Sequence, residues 1–285
     1  MTTSLIVCAP GSDEWREARA GVITASRFAD ALSTVGSLTD QQLAYVRAIH
    51  GGAPEAEAMR AAGYKQRPTS ESVRKVLAGE QIEKPSDTAM RYAQLLALER
   101  IAKQPLDDTF STFAMRRGIE LEPVARALYE DRMGVIVETP GFVVTEDREF
   151  GYSSDGFVLG QEGGIEVKTP LASEKVAGVW LDPEPVIAEY DMQIRGGIWL
   201  KRWKWIDLVV YTPWLASIGK DLFIHRFHRD ESAIEDMESK LFVFSRLVNE
   251  IVGRLKRPAA APASSSEIDM QPNVNITGLR RTEQR

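Results

Sequence analysis

The chain has 285 residues, 44% of them hydrophobic, which suits one large α/β domain or a domain carrying an insertion. Its single cysteine, Cys8, excludes an intramolecular disulfide and any multi-cysteine zinc or iron–sulfur site, and no apolar run is long enough to span a bilayer. A net charge of −6 argues against a general nucleic-acid coat but not against a local basic groove, so any nucleic-acid contact is expected to be regional, while the single cysteine suits the reducing cytoplasm.

Residues 5–10 form an apolar run in which Cys8 is expected to be buried. In GSDEWREARAG, Ser12 or Asp13 can cap a short helix that Gly21 stops, with Trp15, Ala18 and Arg19 on neighbouring turns. Val22 and Ile23 are extended, and Thr24 or Ser26 starts the next helix. Arg19 and Ser26 therefore flank a helix N-terminus, a natural seat for a phosphate, although Ser26 as a simple cap and a solvated Arg19 explain the same residues. Residues 37–105 read as a separate helical insertion broken at Gly51-Gly52, Gly63 and Pro68. Its last helix, residues 86–103, carries Tyr92, Leu95, Leu96, Leu98 and Ile101. The piece 54–77, with AAGY at 61–64, resembles the helix-turn-helix of phage terminase small subunits; a helical insertion that only packs fits equally.

A long helix follows over 113–133, with Ile119, Val124, Ala125, Leu128 and Tyr129 on its apolar face. Glu122 lies beside that face, either paired or aimed at a metal site. Two extended runs in 135–145 split at Pro140-Gly141, and Asp147 and Arg148 tip a hairpin. The hairpin leads into FGYSSDGFVLGQEGGIEVKTP, which places Asp155 on one segment, glycines at 160, 163 and 164, and Glu166-Val167-Lys168 on the next strand. Alternation puts Glu166 and Lys168 on one face, and a turn can set Asp155 opposite Glu166 at a sheet edge. Two carboxylates suit Mg²⁺, the Val167 carbonyl can add an oxygen, and Lys168 can position a water and offset phosphate charge. Alone, this spacing also describes any solvated hairpin.

Beyond Pro170 a loop is expected, then a helix over 185–199 with Tyr190, Gln193 and Arg195. KRWKW at 201–205 can grip DNA by charge and stacking, or its tryptophans can cover the core. Two strands follow, whose histidines read as sheet surface, and a helix over 230–255. The Pro-, Ala- and Ser-rich tail, 258–285, is expected to be disordered and is locally basic.

Five segments, WREARAGVITASRF, RRGIELEPVARALYE, SSDG, IEVKTP and YDMQIRGGIWL, resemble in the same order the bacteriophage lambda exonuclease and YqaJ-like viral recombinase family of PD-(D/E)xK nucleases. The resemblance implies an α/β fold: a nuclease domain beginning in 1–36 and continuing as the core in 106–257, with a mixed central sheet flanked by helices, the small insertion and the disordered tail. It implies metal binding by Asp155 and Glu166, a water-assisting Lys168, and a contribution from Glu122. Arg19, Ser26, Ser153 and Gln193 would hold a terminal 5′-phosphate. The family usually has SPDG, so Ser154 is expected to loosen the turn. The implied activity is a Mg²⁺-dependent 5′-to-3′ exonuclease, with Mn²⁺ as a substitute. A homotrimeric ring would degrade the 5′-phosphorylated strand of duplex ends to mononucleotides, handing 3′ overhangs to a single-strand annealing protein. The competing readings are a PD-(D/E)xK endonuclease and a non-catalytic DNA-binding or packaging adaptor led by the insertion.

Overall fold

The chain opens on strand β1 (Thr3–Ile6) and helix α1 (Asp13–Arg19), which begins where Ser12 Oγ accepts the Trp15 N–H at 3.2 Å. The computed structural model describes residues 2–80, 82–106, 113–139 and 141–258. Next come β2 (Ile23–Thr24), a 3₁₀ turn (Ala25–Arg27) and α2 (Phe28–Ala31). Ser26 thus sits inside the turn instead of capping a helix, and Thr24 makes no capping bond. Then follow β3 (Thr34–Val35), α3 (Asp40–His50), α4 (Glu55–Ala61), α5 (Glu71–Leu77), β4 (Lys84–Pro85) and α6 (Asp87–Ala102).

The long helix α7 (Phe113–Met133) precedes β5 (Val137–Glu138), β6 (Phe142–Thr145), β7 (Phe150–Ser153), β8 (Gly156–Val158) and β9 (Gly163–Lys168). The chain closes with α8 (Ser173–Leu181), α9 (Glu184–Lys201), β10 (Trp205–Tyr211), a 3₁₀ turn (Pro213–Ile218), β11 (Leu222–His228) and α10 (Glu231–Leu255). Helix α8 stands where a loop was expected. The tail from 259 and Pro140 lie outside the described residues.

Two sheets carry the site. One has the order β1-β6-β7-β2 and the other β11-β10-β9-β8-β5; β9 and β10 run parallel and β9 pairs antiparallel with β8. β9 is therefore a central strand. The carboxylate hairpin is not at a sheet edge, because neighbours on both sides complete its hydrogen-bond ladder. Ile165 and Val167 pack under α7 against Ala125 and Tyr129, while Glu166 and Lys168 take the opposite face toward α9. Only part of the expected apolar face of α7 is covered, since Ile119 is 63% and Val124 45% exposed.

The main core lies on the α9 side of the sheets. Phe28, Tyr92, Leu96, Phe150, Ile194, Ile198, Ile206 and Phe244 meet there, drawn from α2, α6, α9, α10 and strands of both sheets. Helix α6, read from the sequence as the end of the insertion, belongs to this core, although its Leu98 and Ile101 face solvent. What remains of the insertion is α3–α5, closed on a satellite cluster of Tyr45, Val46, Ala58, Ala62 and Val73. Cys8 is half-buried beside Ile6 and Trp15 rather than enclosed.

Close approach of α9 depends on Gly196 and Gly197. A Cβ there would lie 2.6 Å from Phe28 and 2.7 Å from Tyr152, so only glycine lets the helix bring Gln193 down to β9. The tryptophans of KRWKW lie flat on another glycine pair: a Cβ on Gly163 would meet Trp205 at 2.2 Å, and one on Gly164 would meet Trp203 at 2.3 Å. These rings pack on the sheet, Trp205 buried and Trp203 partly so, which is the core-covering arrangement. The cations beside them are engaged locally, Lys201 over Trp203 and Lys204 with Glu162.

Candidate active site

Strand β7 ends in the four-stranded sheet at Ser153, and β8 begins in the five-stranded sheet at Gly156. Asp155 occupies the crossing between them. The buried Ser154 pins this turn, its Oγ donating to Gly156 O at 3.0 Å and accepting the Gly156 N–H at 3.2 Å. The hydroxyl thus does by hydrogen bonding what a proline ring does by covalent restraint, and the expected loosening is not seen.

The β8–β9 register pairs Gly156 with Ile165, which sets Asp155 across from Glu166. Asp155 Oδ2 accepts the Val167 N–H at 2.7 Å. Glu166, 2% exposed, accepts from Tyr152 Oη on Oε2 at 2.8 Å, and from Lys168 Nζ (2.8 Å) and Gln193 Nε2 on Oε1. Lys168 Nζ also lies 5.1 Å above the Tyr190 ring. From α7, Glu122 pairs with Arg126 one turn on.

Burial, reinforced by Glu166, holds the Asp155 carboxyl well above the usual carboxylate range, against the Val167 N–H. Burial pulls the Lys168 ammonium down, but Glu166 and Asp155 together outweigh it and the net direction is up. Glu122 is raised by burial and by Glu166, with Arg126 opposing, so it shares the field of the same centre. A buried carboxylate, Glu166, and a half-buried one, Asp155, against one ammonium form an electron-rich cluster short of positive charge. Among the described residues no three His, Cys, Asp or Glu side chains converge as a ready metal cage. Two carboxylates do fit a hard divalent cation of the Mg²⁺ type, which takes the balance of its oxygens from water and substrate phosphate.

A second cluster adjoins the first. The Arg19 guanidinium lies 4.1 Å over the Trp15 ring, with Nη2 3.5 Å from both Thr24 Oγ1 and Ser26 Oγ. Trp15 Nε1 donates to Ser153 Oγ at 3.1 Å, so this pocket reaches the residue two places before Asp155. Among the described residues Arg19 has no carboxylate within ion-pair distance, and burial lowers its affinity for its proton. The turn beneath is held from α6: Glu99 Oε2 accepts the Gly21 N–H at 2.8 Å, Arg100 Nε donates to Gly21 O at 2.8 Å, and Tyr92 Oη accepts the Thr24 N–H at 3.1 Å.

The structure thus brings Asp155, Glu166, Val167, Lys168 and Gln193 into one centre with Glu122 at its margin, and gathers Arg19, Ser26 and Ser153 into the other. Gln193, expected with the phosphate group, instead binds Glu166. Asp147 is not in either cluster; it accepts the Glu149 N–H at 3.0 Å and shapes the β6–β7 turn. Sequence reasoning missed Tyr152, Thr24 and the role of Trp15. Trp15 precedes Arg19 by one helical turn, and that spacing was the available signal; nothing in the sequence marked a strand tyrosine as a partner of Glu166.

An acid at the crossing of two sheets, an E-x-K strand beside it and flanking helices define a PD-(D/E)xK nuclease core. The chain belongs to the YqaJ-like viral recombinase family, whose domain matches residues 14–200. Among solved structures it is similar to the alkaline exonuclease LHK-Exo from Laribacter hongkongensis, at 24% identity and a TM-score of 0.58 over 86% of this chain and 96% of that one. The complex of LHK-Exo with dAMP gives a TM-score of 0.60 at the same identity and coverage. A phage-related exonuclease from Haemophilus somnus 129PT has 14% identity and a TM-score of 0.53, over 82% of this chain and 96% of that chain. At these identities the likeness concerns the fold. No curated protein matches the chain.

Proposed function

We propose that this protein is a divalent-cation-dependent 5′-to-3′ exonuclease acting on duplex DNA ends. One observation carries the reading: the Asp155–Glu166–Lys168 centre and the Arg19–Ser26 pocket are joined through Ser153. An endonuclease has no need of an anion pocket joined to its catalytic centre, whereas an end-reader does. The family, and the exonuclease names borne by proteins of the same fold, support the same conclusion.

In this reading Asp155, Glu166 and the Val167 carbonyl would hold Mg²⁺, or Mn²⁺ in its place, with Glu122 contributing from α7. The cation, when bound, supplies charge neutralisation and a more acidic water. Lys168 orients the attacking water and offsets charge on the scissile phosphate, while Gln193 and Tyr152 fix the carboxylate of Glu166. The water oxygen bonds to phosphorus as the P–O3′ bond breaks. A mononucleotide leaves, and the shortened strand again ends in a 5′-phosphate. Arg19, Ser26 and Ser153 hold that phosphate, so each cleavage regenerates the group the pocket reads. A homotrimeric ring around DNA, a single-strand annealing protein receiving the 3′ overhang, and phage or prophage recombination in the bacterial cytoplasm complete the proposal. Among the described residues no helix is long and apolar enough to cross a membrane.

The test uses linear duplexes labelled at either end, with or without a 5′-phosphate, beside closed circles. The expected result is stepwise release of mononucleotides from phosphorylated 5′ ends, no loss of circles, and no cleavage by Lys168→Ala. Arg19→Ala should narrow the preference for phosphate over hydroxyl ends. Cleavage of circles would make the protein an endonuclease, and binding without hydrolysis in any divalent metal would favour the adaptor.

A further inference from the structure

β9 and β10 are parallel neighbours, so the segments that follow them leave the sheet at the end that carries Lys168. After Lys168 the chain passes through Leu171 into α8; after Tyr211 it enters the 3₁₀ turn that carries Trp214. Between these segments lies an open, mainly apolar groove of about 380 Å³ lined by Leu171, Ser173, Val176, Ala177, Trp214 and Leu215. That volume falls within the range of small-ligand clefts, roughly 300–1,000 Å³.

Trp214 is 52% exposed, yet its turn is firmly footed. Buried Thr212 donates its N–H to Asp221 O and its hydroxyl to Lys220 O, both at 2.7 Å, and accepts Trp180 Nε1 at 3.2 Å. From the other side comes Arg117 of α7, the helix that also presents Glu122. Its guanidinium lies 5.3 Å from the Trp214 ring centre, and its buried Nε has no hydrogen-bond partner. A donor shielded from water and left unmade is costly, and the group that would satisfy it is an incoming acceptor.

We propose that this groove is a stacking site for an unpaired nucleotide of the DNA, the base resting on Trp214 and the adjoining phosphate turned toward Arg117. The inference rests on the nuclease reading and extends it to a contact outside the metal and end-phosphate clusters. A nucleotide supplies a flat π face and an anionic acceptor side by side, which match the exposed indole and the unmatched guanidinium. Continuity also selects it: the groove begins three residues past Lys168, at the same end of the sheet as the carboxylate centre.

The test is binding of a short single-stranded oligodeoxyadenylate to the full-length protein in EDTA, where cleavage is blocked, read by tryptophan quenching and by anisotropy of a labelled oligonucleotide. Trp214→Ala should lose part of the quench and bind roughly 5- to 100-fold more weakly, with Trp214→Phe restoring most of the affinity. Arg117→Gln should reduce the slope of log affinity against log salt by about one phosphate contact. Circular dichroism and thermal unfolding verify that each variant folds. Unchanged affinity in Trp214→Ala overturns the proposal, as does a change of oligomeric state in that variant, which would make the groove a contact between copies. A wild type that cleaves DNA while Trp214→Ala binds normally removes only the stacking site. A wild type that binds through Trp214 and never cleaves keeps that site and removes the nuclease reading.

Discussion

Replacing Glu99 with alanine removes a carboxylate that no proposed catalytic step touches and that nonetheless supports the turn under the Arg19 cluster. Glu99 accepts the Gly21 N–H at 2.8 Å and the Leu106 N–H at 2.9 Å. The first bond is buried, so truncation leaves an unsatisfied backbone donor worth about 1–3 kcal/mol. The second is partly exposed, water can replace the carboxylate there, and its loss adds about 0.5–1.5 kcal/mol. Arg100 Nε still holds Gly21 O, so the turn loosens without being released. The sum is a destabilisation of about 1.5–4.5 kcal/mol, read in urea as a lower midpoint at an unchanged slope. Glu99→Gln keeps one acceptor oxygen and should lose roughly half as much. In the proposed reaction, the looser turn should lower the rate on 5′-phosphorylated ends more than on 5′-hydroxyl ends. A stability change below about 0.5 kcal/mol, the size of an ordinary surface substitution, would refute the reasoning. So would an equal loss of rate on both kinds of end.

Three other perturbations test separate parts of the structure. Because the folded-state value of Asp155 lies above its ordinary one, the native chain holds a proton that the unfolded chain releases; stability from this group falls as pH rises from the ordinary aspartate range through the raised value. Mg²⁺ competes with that proton, so a concentration about a hundred times its dissociation constant near pH 8 should add about 2.7 kcal/mol there, or roughly 5–10 °C in Tm, and the same concentration should add less near pH 5; equal gains at both would place the ion elsewhere. Gly164→Ala would set a Cβ 2.3 Å from Trp203 and 2.5 Å from Gly156 O. It should destabilise by about 1–3 kcal/mol and shift β8 enough to abolish cleavage, which thermal unfolding and the end-labelled duplex assay check together. Ser154→Ala removes both bonds across the turn that contains Asp155 and should cost about 1–3 kcal/mol in denaturant, whereas a neutral result would show that the β-strands alone hold the turn.

Features that depend on neighbours in sequence were legible without the fold. Period-two alternation put Glu166 and Lys168 on one face, and a helix followed by a tight turn brought Arg19 near Ser26. Helices α7, α9 and α10 were readable because capping and the 3.6-residue repeat act within a few residues. The five motifs in order led to the family even where single motifs were ambiguous. Other features rest on contacts between distant segments. That β9 is central, and its Glu166 buried, follows from pairing with β10, some forty residues later in the chain. Whether α6 packs on the insertion or on the main core depends on which surface offers a complementary face, and the same apolar residues suit either. Gln193 reaches Glu166 because Gly196 and Gly197 let α9 sit close, and Tyr152 became its partner because β7 crosses beneath that helix. The sequence alone therefore determined which side chains carry the proposed chemistry. Only the tertiary structure decided how deeply they are buried, which donors hold them and how the two clusters join, since burial and long-range pairing belong to the whole chain.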